Sequence, residues 1–333
     1  MDPFRSRTST GWSSEPGTEP QIHQVRLFPV RGGPGGGDVT RTSLCHGLGL
    51  PTHPFIDRAP DRAHTGAVAT RISHLFKQSF SALRYEPSAK RVRATLGGQP
   101  VVDTTHALLV WEPRRIVPIY AVPESDVLAE LTESAAEVSR VPEDAKVLTP
   151  DDAFALHTAE GTALDVRVSG HAADAAAFRL ADPDLDGAVL LDFWAFDWRE
   201  EDQEIHAHPR DPFHRVDIVP SSRHVRVELD GMVLAESAHP VMLFEGSLPP
   251  RYYVKPEEVR WDALVATKTM SMCPYKGTAN YWAPASGGKN VAWSYAKPLP
   301  ESAALAGLVC FYNERTDFLV DGKRLGRPQS LFR

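Results

Sequence analysis

Val225-Arg-Val-Glu-Leu-Asp-Gly231 puts Val225, Val227 and Leu229 on one side of an extended chain, and Arg226 and Glu228 on the other. Asp230-Gly231 then supplies two residues that accept positive φ, as a type I′ turn requires, so the stretch reads as the first strand and turn of a β-hairpin. The same pattern stands 133 positions earlier as Val92-Arg-Ala-Thr-Leu-Gly-Gly98. The register holds past the turn without a gap: His106 matches His239, Glu112 matches Glu245, Tyr120 matches Tyr253, and Leu109-Val110-Trp111 matches Met242-Leu243-Phe244. The chain is therefore expected to fold as two tandem copies of one small, mainly β domain, barrel or tent-like, each with one or two short helices.

In the second copy, strands are expected at Met242 to Phe244, Arg251 to Val254, Thr267 to Met272, Lys276 to Trp282, Asn290 to Tyr295 and Leu308 to Tyr312. A brief helix is expected from Glu257 to about Leu264, with Pro256 ahead of it. Domain limits follow: a poorly structured leader over 1–77, a first repeat over 78–199, a linker over 200–220, a second repeat over 221–327 and a tail over 328–333. The leader carries Arg31-Gly-Gly-Pro-Gly-Gly-Gly37, which lacks the lysine and hydroxyl of a phosphate loop and reads as flexible chain. The linker reading rests on Glu200-Glu-Asp-Gln-Glu204, Pro209 and Pro212; His206, His208 and His214 in it are taken as solvated or capping residues, with no metal or cofactor expected.

A net charge of -7 and the lack of a concentrated run of Lys and Arg argue against nucleic acid as the main partner. No apolar run approaches the ~20 residues of a membrane helix. Three scattered cysteines, Cys45, Cys273 and Cys310, do not make a disulfide framework, and no secretory signal is recognisable, so a cytoplasmic location is expected.

Side chains capable of chemistry concentrate in the second copy, in Cys273-Pro-Tyr-Lys-Gly-Thr-Ala-Asn-Tyr281 and Trp293-Ser-Tyr295. With Arg251-Tyr252-Tyr253, Phe311-Tyr312 and the opening hairpin, these residues resemble a bacterial domain-of-unknown-function family (domain of unknown function 427), sometimes labelled nucleotidyltransferase-like; the resemblance runs from about Arg84 to Gly326. The label implies paired carboxylates to hold magnesium, and the second copy has no such pair at its motif. Asp182-Pro-Asp184-Leu-Asp186-Gly187 begins like a calcium loop, but Phe193 stands where the bidentate glutamate belongs, so it reads as a turn.

Cys273 has two readings, a packed small hydrophobe or a nucleophile activated by Lys276 or Arg251 across a turn at Pro274. Arg251, Tyr253, Tyr275, Tyr281, Trp293 and Tyr295 are the candidate lining of a small-molecule pocket, in which Lys276 and Arg251 would hold an anionic group. Aligning Gly161-Thr-Ala163 with Gly277-Thr-Ala279 sets His157 at the position of Cys273, Glu160 at Lys276 and Asp165 at Tyr281, so the first copy has lost this site or built another. His106, Glu112, His239 and Glu245, retained in both copies, read as structural, forming buried hydrogen bonds. Three functions remain open: an enzyme using Cys273 and Lys276, a non-catalytic metabolite-binding module, or a protein-interaction scaffold. Oligomeric state is not legible.

Overall fold

The computed structural model describes Ala69 and residues 72–136, 139–141, 147–246 and 248–328. The glycine cluster at 31–37, Cys45 and nearly all of the 328–333 tail lie outside the described residues.

The first repeat contains β1 (Arg84–Pro87), β2 (Val92–Leu96), β3 (Gln99–Thr104), β4 (Leu108–Trp111), β5 (Ile119–Pro123), β6 (Glu130–Glu133), β7 (Ser139–Arg140), β8 (Leu156–His157), β9 (Gly161–Val168), β10 (His171–Leu180), β11 (Ala188–Leu191), β12 (Asp197–Glu200) and β13 (Gln203–Ile205). The second contains β14 (Val216–Pro220), β15 (Val225–Leu229), β16 (Met232–Ser237), β17 (Val241–Glu245), β18 (Arg251–Val254), β19 (Leu264–Cys273), β20 (Gly277–Pro284), β21 (Ala292–Ser294), β22 (Val309–Phe311), β23 (Asp317–Val320) and β24 (Lys323–Arg324).

The two repeats share one topology. A seven-stranded antiparallel sheet runs β1-β4-β5-β11-β10-β9-β6 in the first and β14-β17-β18-β22-β21-β20-β19 in the second. Its four-stranded companion runs β13-β12-β2-β3, matched in reverse by β16-β15-β23-β24. The likeness extends to detail. The hairpin turns take positive φ at Gly97 and Gly98 and at Asp230 and Gly231, and the register slips after Ala94 in one hairpin and after Val227, its counterpart, in the other. Such a bulge tightens the local twist and bends the small sheet over the large one.

Between the two sheets lies a core that joins Val92, Ala94 and Trp198 to Val122 and Leu191 in the first repeat. Val225, Val227 and Phe318 meet Val254 and Phe311 in the second. The large sheets also bury their outer faces, around Phe178 and Leu190 in one and Tyr253, Trp293 and Cys310 in the other. Strands buried on both faces read as continuous apolar runs, which is why Ala188–Leu191 and Val309–Phe311 show no alternation.

Several sequence expectations are corrected. An α-helix, Ile72–Ser79, begins inside the stretch assigned to the leader, its apolar residues 72, 75 and 76 falling at helical spacing. The 200–220 stretch is not a free tether: β13 closes a hairpin on β12, and β14 forms the edge of the second large sheet. The acidic run misled because Glu200 is buried there against Lys90 and Tyr120 instead of facing solvent. The helix expected after Pro256 resolves into two 3-10 turns, Pro256–Glu258 and Trp261–Ala263. Asp182 caps a short turn by accepting from the Asp184 N–H at 3.0 Å. No helix among the described residues is long and apolar enough to cross a membrane.

Candidate functional site

Each repeat buries one glutamate at the end of the same strand, Glu112 after β4 and Glu245 on β17, and each must be given partners because an isolated carboxylate is costly away from water. In the first repeat Glu112 accepts from the backbone N–H groups of Thr158 and Ala159 at 3.0 and 3.1 Å. His157 Nδ1 stands 3.2 Å from it and Arg115 Nε 3.3 Å. In the second, His214 Nε2 lies 3.0 Å from Glu245 Oε1 and the Lys276 ammonium donates to the same oxygen. The residues just before β9 and β20 thus sit over the glutamate in both copies. Where the second copy has Lys276 the first has Glu160, and there the Arg115 guanidinium supplies the positive charge beside Glu112.

Burial opposes ionisation of Glu245, but the bond from His214 and the Lys276 ammonium outweigh it and hold the carboxyl down at about 2. Burial also pushes the His208 imidazole down to about 4, with the neighbouring His214 and Lys276 acting in the same direction against the Pro209 carbonyl it faces.

Cys273 and Gly277 are directly paired across β19 and β20, leaving Pro274-Tyr275-Lys276 as the connecting turn, with Gly277 at φ 90°. All three turn carbonyls are held. Arg210 Nε donates to Pro274 O at 3.1 Å, Ser302 Oγ to Tyr275 O at 3.0 Å and the Leu299 N–H to Lys276 O at 3.2 Å. The fixed turn aims Lys276 inward at Glu245 and lays the Tyr275 ring on His214, centroids 4.5 Å apart. The Tyr275 hydroxyl accepts from the Asp211 N–H at 2.7 Å.

Tyr275 borders a cavity of about 470 Å³ at the seam between the repeats. The first repeat contributes Pro87 to Lys90, Leu109 and Glu200; the connecting segment brings Arg210, Asp211, Pro212 and His214; the second adds Val216, Tyr275 and Glu301. Two ion pairs stand in its wall, Lys90 with Glu200 at 2.5 Å and Arg210 with Glu301 at 2.9 Å.

Of the residues proposed from sequence as catalytic or pocket-lining, only Tyr275 borders this opening. Arg251 is buried in a two-bond pair with Glu314, 2.8 Å each, with Asn313 beside it and its guanidinium over the Trp293 ring. Tyr253, Trp293 and Tyr295 belong to the outer-face core, where Trp293 Nε1 donates to the Tyr253 hydroxyl at 3.2 Å. The Tyr281 hydroxyl meets Ser271 Oγ at 2.6 Å. The anion-holding role expected of Arg251 and Lys276 is thereby corrected, since carboxylates within the protein already occupy both. Cys273 is half-buried, whereas Cys310 is fully buried and its thiol is pushed up to about 12 by that burial. Replacing Cys273 with Ser is expected to change stability by no more than about 0.5 kcal/mol, as at other partly exposed positions; a loss of several times that in denaturant unfolding would place the thiol in the packed core.

His106 and His239 are exposed, which corrects their assignment to buried hydrogen bonds. What the two copies retain is the group that receives their backbone N–H, Thr104 Oγ1 at 2.9 Å and Ser237 Oγ at 3.1 Å. These hydroxyls in turn donate to Asp126 and Glu258. Sequence reading passed over Lys90, Glu200, Arg210 and His214 as site residues, because each belongs to a polar or proline-broken stretch. Among the described residues no group of three or more His, Cys, Asp or Glu could hold a metal ion.

A family model described as a domain of unknown function (DUF427) matches residues 84–146 and 217–322, one stretch in each repeat. No curated protein matches the chain.

Proposed function

The chain belongs to that family as a tandem pair of its domains, and we propose that it binds a small metabolite in the cavity where its two copies meet. The observation that carries this reading is the cavity itself, large enough at about 470 Å³ for a metabolite and lined by the apolar Pro87, Leu109 and Val216 together with two ion pairs and an aromatic ring. Small-molecule sites combine such an apolar body with a few fixed polar groups, and they favour junctions between domains. Neither copy alone supplies this wall, which gives the tandem arrangement a purpose.

An enzymatic form of the reading draws on His214. Its Nε2 lies 3.0 Å from Glu245 Oε1, a contact that fixes the orientation of the ring in the cavity wall. Binding without turnover needs only the cavity and is the simpler reading.

The test is a thermal-shift screen of the full chain against a metabolite library, repeated on Ala89→Trp, which fills the opening from an exposed position. A ligand at a hundredfold its Kd is expected to add about 2.7 kcal/mol to the folded wild type and nothing to the variant. No stabilisation of the wild type by any compound, or equal stabilisation of both proteins, overturns the reading.

A further inference from the structure

Resting on that reading, we infer that the cavity takes a zwitterion, a compound with one ammonium and one carboxylate on an apolar body, as in an amino acid. The argument lies in how the two ion pairs are exposed. In each, one partner is deep and the other at the mouth: the Glu200 side chain is 7% exposed against 45% for Lys90, and Arg210 is 16% exposed against 50% for Glu301. The deep residues are of opposite charge and are anchored independently of their mouth partners. Tyr120 donates to Glu200 at 2.7 Å, and Arg210 donates through Nε to Pro274 O at 3.1 Å.

A mouth residue can turn into water at little cost, because an exposed ion pair contributes about 1 kcal/mol or less. When Lys90 and Glu301 leave, the cavity presents a carboxylate and a guanidinium, and a ligand carrying both charges restores both pairs. A ligand of single charge replaces only one mouth residue, so it makes one of the two contacts with a deep charge and leaves the other pair as it was. The exchange makes and breaks no covalent bond and needs no net proton uptake.

The charge series to be measured uses L-phenylalanine, 3-phenylpropionate and 2-phenylethylamine, and L-leucine with its deaminated and decarboxylated analogues, by calorimetric titration of the full chain. An amino acid is expected to bind while the acid and amine of the same skeleton do not. The variants give opposite signs. Glu200→Gln, which keeps the bond from Tyr120 but loses the charge, is expected to weaken amino-acid binding by about tenfold or more, as for a lost hydrogen bond to a charged group. Lys90→Ala, which removes the competitor for Glu200, is expected to tighten it about two- to fivefold.

Binding of the acid as tightly as the amino acid, or weakening by Lys90→Ala, overturns the zwitterion in favour of an anion held at Lys90. If no probe in the series binds but a library compound does, and Ala89→Trp abolishes that binding, the zwitterion inference fails and the cavity reading stands. If nothing binds at all, both fail.

Discussion

Replacing Glu112 with Ala is expected to lower stability by about 3–5 kcal/mol, the usual penalty for taking one partner from a buried charge cluster, and the melting temperature by on the order of 10 °C. Glu112 is 0% exposed, and the variant leaves Arg115 and His157, both nearly as buried, with their shared carboxylate gone. It also removes the acceptor for the Thr158 and Ala159 N–H groups, so the segment before β9 loses its anchor. Denaturant unfolding measures the loss; a change below about 1 kcal/mol would show that solvent reaches Arg115 once the carboxylate is removed. Because this cluster stands apart from the seam cavity, ligand binding by the surviving folded protein is expected to be unchanged.

Glu245→Gln is expected to cost about 3 kcal/mol at neutral pH, and its signature is a change in the acid limb of the stability profile. With the carboxyl at about 2 in the folded protein and near 4.5 when unfolded, the folded state binds that proton less readily than the unfolded chain does. The stabilisation, about 3 kcal/mol, is complete above about pH 4.5 and is lost as pH falls through about 2. In Glu245→Gln that part of the acid loss is expected to be absent, leaving a shallower decline in melting temperature between pH 4.5 and 2. An unchanged slope would mean that Glu245 does not carry this stability. Lys276→Met alone should also destabilise, and combining it with Glu245→Gln should recover part of the loss, since neither replacement carries a charge that needs a partner.

The fold was legible wherever a local rule sufficed. Asp230-Gly231 and Gly97-Gly98 announce their hairpins through the φ they permit, and the common spacing of paired residues announced the repeat. The strand β19–β22 region was legible from its apolar and aromatic runs. Boundaries failed where tertiary contacts override composition. Glu200 looks like linker because its neighbours are acidic, yet it is the deep member of an ion pair closed by Lys90, 110 positions away.

The site was less legible for a related reason. Arg251, Tyr253, Trp293 and Tyr295 have the chemistry of a binding pocket and the strand spacing to share one, but spacing does not say whether that face is open or covered. It is covered, and Glu314 satisfies Arg251. Glu112 and Glu245 could be singled out because both copies keep them, whereas His214 stands where the first copy has Ser81 and Arg210 where it has Lys77, and both gain meaning only from the juxtaposition of the two copies.

The small sheets bear on how the chain reaches this state. In each, the second strand of the repeat pairs with one from near its end: Val92 with Glu200 and Val225 with Val320. Closing such distant pairings delays the reward until most of the repeat is assembled, so folding on the order of milliseconds to seconds is expected, not the microseconds of a helical bundle. During that interval β2 and β15 present similar open edges, and β12 could be captured by the wrong one, the exchange to which adjacent like domains are prone. Synthesis from the amino end works against this error, because β12 leaves the ribosome before β15 does and finds β2 as its sole suitor.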